Sequence, residues 1–169
     1  MSYYIDTSLL VTVLDKEDPL YDNANKFLLE PTEKIISPLV ITELASVLSR
    51  KLKEIKFHKT LLGEIKKLTP FEKILFIVSY LLKKFNLKLV SLAKETITHF
   101  GVMPAVFSTA LWLSVDVKLR TLDLLHLAYA TLFKRNNYPI TAIATLDEDF
   151  YNKRREITKA TNLTIYYLS

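Results

Sequence analysis

Four carboxylates stand out by where they fall: Asp6, Glu43, Asp123 and Asp147, with Asp149 two residues beyond the last. Asp6 follows Tyr3-Tyr4-Ile5 and precedes Thr7-Ser8-Leu9-Leu10-Val11, so it sits where a strand runs straight into a helix. Asp147 likewise follows the run Ile140 to Thr145, and Asp123 lies near the start of Thr121-Leu122-Asp123-Leu124-Leu125-His126. Glu43 shares a helix face with Leu39, Val40 and Val47, where a carboxylate is costly unless a cation, a donor or water meets it. Each acid also has an ordinary reading. Asp6 and Asp147 would cap helices, Asp123 would answer a helix dipole, and Glu43 would reach an Arg or Lys. In a parallel sheet, however, strand ends and the helix starts that follow them gather at one edge, which brings all four acids together. Carboxylates in one pocket repel one another, and a divalent cation relieves that repulsion. Oxygen ligands without Cys or His favour Mg²⁺ or Mn²⁺ as that cofactor. Such a site can lower the pKa of a bound water, orient it, and stabilise charge developing on a phosphodiester.

The elements that must position these acids follow from the apolar pattern. Strands are expected at Tyr3 to Ile5, Lys34 to Ser37, Leu87 to Leu92, Ile140 to Thr145 and Leu163 to Leu168. Helices are expected over the run Leu9 to Leu14 with Asp6-Thr7-Ser8 supplying its cap, over Leu20 to Leu29, and over Leu39 to Lys53 with Pro38 at the first position. Further helices are expected over His58 to Leu68, Phe71 to Phe85, Ala93 to Phe100, Ala105 to Val115, Thr121 to Lys134 and Asp147 to Arg155. Strands alternating with helices predict an α/β fold: a three-layer α/β/α sandwich on a mostly parallel sheet of about five strands. Residues 1–169 read as a single domain with a helical elaboration around 54–104. In that elaboration Phe71, Ile74, Val78, Leu81 and Phe85 form a helical seam that suits core packing or a partner interface. His126 reads as a satisfied core histidine, and His58 and His99 stand alone, so no zinc-type cluster is expected.

Composition narrows the setting. Cys is absent, which removes disulfides and thiolate metal sites and fits a reducing interior. The N-terminus lacks a basic region and its apolar run is broken by Asp6 and Asp15, so no secretory signal is expected. The most apolar run, Ile74 to Leu82, is too short to span a bilayer, and the expected location is the cytoplasm. Between Arg50 and Lys67 there are seven basic residues against two acidic ones, a local excess equal to the +5 formal charge of the whole chain. A basic stripe on an otherwise balanced protein points to a polyanion such as RNA, with Arg50, Lys51, Lys53 and Lys56 as its first contacts. The same stripe also reads as a solvated lysine-rich helix face.

Tyr4-Ile5-Asp6-Thr7-Ser8, the helix carrying Thr42-Glu43-Leu44, then Arg120 to Ala128 and Thr145-Leu146-Asp147 occur in that order. This arrangement resembles the PIN domain family, and specifically the VapC-type toxins of toxin–antitoxin pairs. The resemblance covers essentially the whole chain, and its most specific parts are Ile5 to Ser8 and Asp123 to Ala130. It implies a Mg²⁺- or Mn²⁺-dependent endoribonuclease in which Asp6, Glu43, Asp123 and Asp147 hold the metal, with Asp149 a further candidate. It also implies that Thr7 or Ser8 and Thr145 orient those carboxylates or the water. A small antitoxin partner and a homodimer are implied as well. The segment between Glu43 and Asp123 is longer than in compact toxins of this kind, which also suits a stand-alone PIN nuclease. Two readings from other classes remain: a catalytically silent nucleic-acid-binding or scaffold module, and a small-molecule phosphohydrolase. The second is disfavoured because Asp6-Thr7-Ser8 lacks the Asp-x-Asp such an enzyme wants after its first strand.

Overall fold

Five short strands carry the molecule: β1 (Ser2–Ile5), β2 (Glu33–Ile36), β3 (Leu87–Leu89), β6 (Ile140–Thr145) and β7 (Thr164–Tyr167). They form one sheet in the order β3-β2-β1-β6-β7, and every neighbouring pair is parallel. The structure, a computed structural model, describes residues 2–52, 54–56, 63, 65 and 67–169. The helix expected over His58 to Leu68 falls largely outside the described residues, as do His58 and Lys53.

The strand order explains the site. From β1 the chain steps one way to β2 and β3, then returns to lay β6 and β7 on the other side of β1. Right-handed crossovers place the connecting helices of the two halves on opposite faces of the sheet. The order therefore reverses between β1 and β6, and a crevice opens beyond their carboxyl ends. Strand β1 is buried along its whole length, which accounts for its apolar, aromatic composition.

Helix α1 (Thr7–Thr12) starts directly from β1, and α2 (Tyr21–Leu29) leads back to β2. Helix α3 (Pro38–Lys51) follows β2 with Pro38 in its first turn and packs on both α1 and α4 (Pro70–Lys84). Helix α4 opens with a capping box between Thr69 and Glu72. Its seam is core at the C-terminal end, where Leu81 and Phe85 are buried, while Phe71 is 68% exposed. The fully buried stripe also runs through Ile77, which lies outside the seam. Helices α5 (Ala105–Leu113) and α6 (Thr121–Arg135) pack together, and α6 also lies on β6.

Two stretches depart from the sequence expectation. Residues 93–100 are not helical: β4 (Glu95–Thr98) and β5 (Gly101–Pro104) form an antiparallel hairpin, so part of the elaboration is strand. The β-branched run Thr96-Ile97-Thr98 favours strand, and Gly101 takes φ +104°, a turn conformation that side chains resist. The polar helix after β6 is two helices, α7 (Glu148–Asn152) and α8 (Arg154–Thr161), divided at Lys153. Among the described residues no helix is long and apolar enough to cross a membrane.

Candidate metal centre

Asp6 leaves β1 at the crevice, and its backbone N–H still donates to Ala144 O at 3.0 Å, so the acid is fixed as if it were one more strand residue. Its side chain is almost wholly buried and heavily engaged. Oδ1 accepts the Thr7 N–H at 2.8 Å, which is the cap of α1. Oδ2 accepts the hydroxyls of Ser8 and Thr145, both at 2.7 Å. Ser8 Oγ in turn accepts the Leu146 N–H, and Thr145 Oγ1 accepts the Asp147 N–H. These bonds lace β1 to the end of β6 and settle where the chain goes next. The structure thus places Thr7, Ser8 and Thr145, the residues expected to orient the acids, against the Asp6 carboxylate.

Glu43 enters from the second turn of α3. Its partner is not the expected Arg or Lys. Glu43 Oε2 accepts the Thr7 hydroxyl at 2.6 Å and lies 2.8 Å from His126 Nε2. The His126 hydrogen bond, helped by the Thr7 bond, outweighs partial burial and holds the Glu43 pKa below its usual value.

Asp123 lies in the first turn of α6, half-buried, and its pKa is pushed up to about 6. Desolvation is the larger cause, and the charges of Asp147, Asp6 and Asp149 add to it, with His126 opposing. The acid thus feels the negative charge of three others across the crevice. Asp147 caps α7, its Oδ1 accepting the Asp149 N–H at 2.7 Å. Capping and convergence are therefore compatible roles for Asp6 and Asp147. Asp149 is more exposed and lies 3.6 Å from Arg120 Nε, so it stands at the rim with a cation of its own.

His126 is the residue that sequence reasoning missed. One turn along α6 from Asp123, its ring is buried, with Nε2 at 2.8 Å from Glu43 and 3.7 Å from Asp6 Oδ1. One donor atom each from Asp6, Glu43 and His126 lie within 4.8 Å of one another. Burial works against its charge, but the Glu43 hydrogen bond and the Asp6, Glu43 and Asp123 charges win and raise the His126 pKa. Nδ1 lies 2.8 Å from the Tyr4 hydroxyl, itself 2.8 Å from Ser37 Oγ. The sequence shows Asp123 and His126 one turn apart on a helix, but nothing in it pairs the imidazole with Glu43.

The fit to a metal rests on this donor set. The donor atoms gathered within 4.8 Å are those of Asp6, Glu43 and His126; Asp123 lies outside that cluster, its carboxyl pushed up chiefly by burial and further by the charges of Asp147, Asp6 and Asp149. Hard carboxylate oxygens in that number suit Mg²⁺ or Mn²⁺. Of the basic residues, Arg50 and Lys51 end α3 and Lys56 follows, all exposed. Glu43 and Arg50 are seven residues apart on one helix, about 10 Å along its axis.

The PIN domain family model matches residues 3–156, a span that takes in β1, the acids and α7. The chain belongs to the PIN domain family. Solved structures with this PIN fold include VapBC2 from Rickettsia felis bound to a promoter DNA fragment, with 16% identity, full coverage of both chains and a TM-score of 0.58. VapC20 of Mycobacterium tuberculosis, a sarcin–ricin-loop-cleaving toxin, is 14% identical, covering 89% of this chain and 93% of that one with a TM-score of 0.54. A toxin–antitoxin complex from Klebsiella pneumoniae is 14% identical, covering 88% and 89% of the two chains with a TM-score of 0.51. No curated protein sequence matches this PIN domain. At these identities the likeness is one of fold.

Proposed function

We propose that this PIN domain is a Mg²⁺- or Mn²⁺-dependent endoribonuclease that hydrolyses RNA phosphodiester bonds, and that it is the toxin of a VapBC-type pair. The observation that carries the reading is the meeting of Asp6, Glu43 and His126, with one donor atom from each within 4.8 Å of the others, beside Asp123 one turn along α6. A protein has little reason to store repelling carboxylates unless a cation offsets them.

Asp6, Glu43, Asp123 and Asp147 would hold the ion, with Asp149 at the rim and Thr7, Ser8 and Thr145 fixing the first two carboxylates. The bound ion would supply an activated water and charge stabilisation at the phosphodiester. The chain's own part is to orient. The double hydroxyl grip on Asp6 Oδ2 and the Thr7 grip on Glu43 Oε2 keep the acids in place without a ligand. Arg50, Lys51 and Lys56, with Lys53, would draw the RNA backbone along α3 towards the crevice. The complexes of the structural neighbours support an antitoxin as partner, and a cytoplasmic setting is proposed with it. A homodimer is proposed from the resemblance to the VapC-type toxins alone.

The test is RNA cleavage with Mg²⁺ or Mn²⁺ by the wild type and by Asp6→Asn, which keeps the side chain's size and removes its charge. Cleavage should fall by at least about 100-fold, the scale of removing one charge-stabilising group. Undiminished cleavage by the variant would remove Asp6 from the site and the reading with it.

A further inference from the structure

Glu43 is held by one oxygen. Both of its hydrogen bonds, from the Thr7 hydroxyl at 2.6 Å and from His126 Nε2 at 2.8 Å, fall on Oε2. Among the described residues none donates to Oε1. Behind the imidazole stands a chain that solvent barely reaches: Tyr4 and Ser37 are 0% exposed and His126 1%. The Tyr4 hydroxyl joins His126 Nδ1 to Ser37 Oγ, with 2.8 Å on either side. Ser37 is the N-cap residue of α3, yet its hydroxyl makes no cap bond and serves Tyr4 instead. Side chains from β1 and the β2–α3 junction thus back the α6 imidazole that, with Thr7, holds one carboxylate oxygen.

We infer that His126, backed by Tyr4 and Ser37, is a positioning residue that saturates Glu43 Oε2 and leaves Oε1 as the oxygen offered to the metal. Nε2–H donates to Glu43 whether or not Nδ1 also carries a proton, so the role does not depend on the charge of the ring. The geometry separates this role from direct ligation. A histidine that ligates through Nε2 must give up the proton on that nitrogen, and here the nitrogen faces an acceptor at hydrogen-bond distance rather than open space. Tyr4 fixes the ring from the other side, so the donor cannot swing away without breaking a buried bond. This inference rests on the metal-dependent reading of the site.

Three variants and three readouts test it, using the full chain. His126→Leu removes the donor, His126→Gln returns an N–H donor to nearly the same place, and Tyr4→Phe removes only the hydroxyl behind the ring. Mn²⁺ binding is measured by calorimetry, and RNA cleavage is measured as a function of Mn²⁺ concentration. Outer groups that orient metal ligands change metal affinity by roughly 10- to 100-fold, and that is the loss expected for His126→Leu. Its turnover at saturating Mn²⁺ should return to within a few-fold of wild type. His126→Gln should bind Mn²⁺ within about 3-fold of wild type, and Tyr4→Phe should fall between the two. Pulsed electron paramagnetic resonance of the wild type loaded with Mn²⁺ should show no imidazole nitrogen coupled to the ion.

A folded His126→Leu or, should that variant not fold, a folded Tyr4→Phe with unchanged Mn²⁺ affinity overturns the proposal. So does a coupled imidazole nitrogen, or a His126→Gln as damaged as His126→Leu. The two readings fail separately. Tight Mn²⁺ binding with the expected variant ranking but no RNA cleavage sinks the nuclease and leaves the positioning role. Cleavage that dies with Asp6→Asn while the His126 variants bind Mn²⁺ normally sinks the positioning role alone.

Discussion

Thr145 Oγ1 donates to Asp6 Oδ2 at 2.7 Å and accepts the Asp147 N–H at 2.9 Å, so one hydroxyl, 139 residues along the chain from Asp6, ties that acid to Asp147. It is fully buried. Replacing Thr145 with Val keeps the shape, takes the partner from the Asp147 N–H and leaves Asp6 Oδ2 with the Ser8 hydroxyl alone. The cost expected for a buried group left unpaired is about 1–3 kcal/mol, seen as a fall in the thermal midpoint. Cleavage should fall as well, because Asp6 loses one of the two hydroxyls on that oxygen. A Val variant with wild-type melting and wild-type cleavage would show that the hydroxyl anchors neither acid.

Asp123 makes the metal-free protein pay for its site as pH rises. Its folded pKa of about 6 lies above the ordinary carboxylate value of 3.8, so the folded state binds the proton more tightly. The sign follows: this residue's contribution is most favourable below about pH 4 and is lost as pH rises through 6. Because the group is half-exposed, screening reduces the effect to on the order of 1 kcal/mol. Asp123→Asn should therefore raise the midpoint of the metal-free protein at pH 7 by about 2–4 °C and flatten its slope between pH 4 and 6. Melting curves across that range, in the presence of a chelator, check it. Lowering of the midpoint at pH 7 would contradict it.

Divalent ions should reverse that penalty. An ion bound only to the folded state stabilises it by mass action, about 2.7 kcal/mol at one hundred times the dissociation constant. Mn²⁺ should raise the melting midpoint of the wild type by several degrees, and a chelator should return it. In Asp123→Asn the rise should shrink. An ion-independent midpoint would argue against any metal centre in the crevice.

The basic end of α3 should act on RNA through charge alone. Changing Arg50, Lys51 and Lys56 to Ala should weaken RNA binding about equally for unrelated sequences. The slope of log affinity against log salt should become shallower by roughly 0.7 for each phosphate of single-stranded RNA that the protein no longer neutralises. Titrations at several salt concentrations measure this. An unchanged slope would assign the stripe to solvent.

The strands were legible in the sequence because burial on both faces demands short apolar runs, and Tyr3-Tyr4-Ile5 and Ile140 to Thr145 supply them. The acids were readable because chain direction alone puts Asp6 and Asp147 at one edge of a parallel sheet. His126 was not, since a histidine inside an apolar helix looks the same whether it fills space or grips a carboxylate. Only the meeting of α3 with α6 reveals Glu43 as its partner. The hairpin of β4 and β5 was hidden for a different reason. Ala93-Lys94-Glu95 suits a helix by local propensity, and what decides otherwise is the cross-strand pairing of Ile97 with Val102.

The position of β1 has a consequence for synthesis. Of the five strands of this sheet the central one is made before its neighbours, and β6 follows more than a hundred residues later. Until Thr145 emerges, Asp6 has no hydroxyl from β6 to fix it, and Asp147 does not yet exist. A chain that stops short of β6 therefore carries half a cleft, with Asp6 in place but without the partner hydroxyl and the facing acid that complete it.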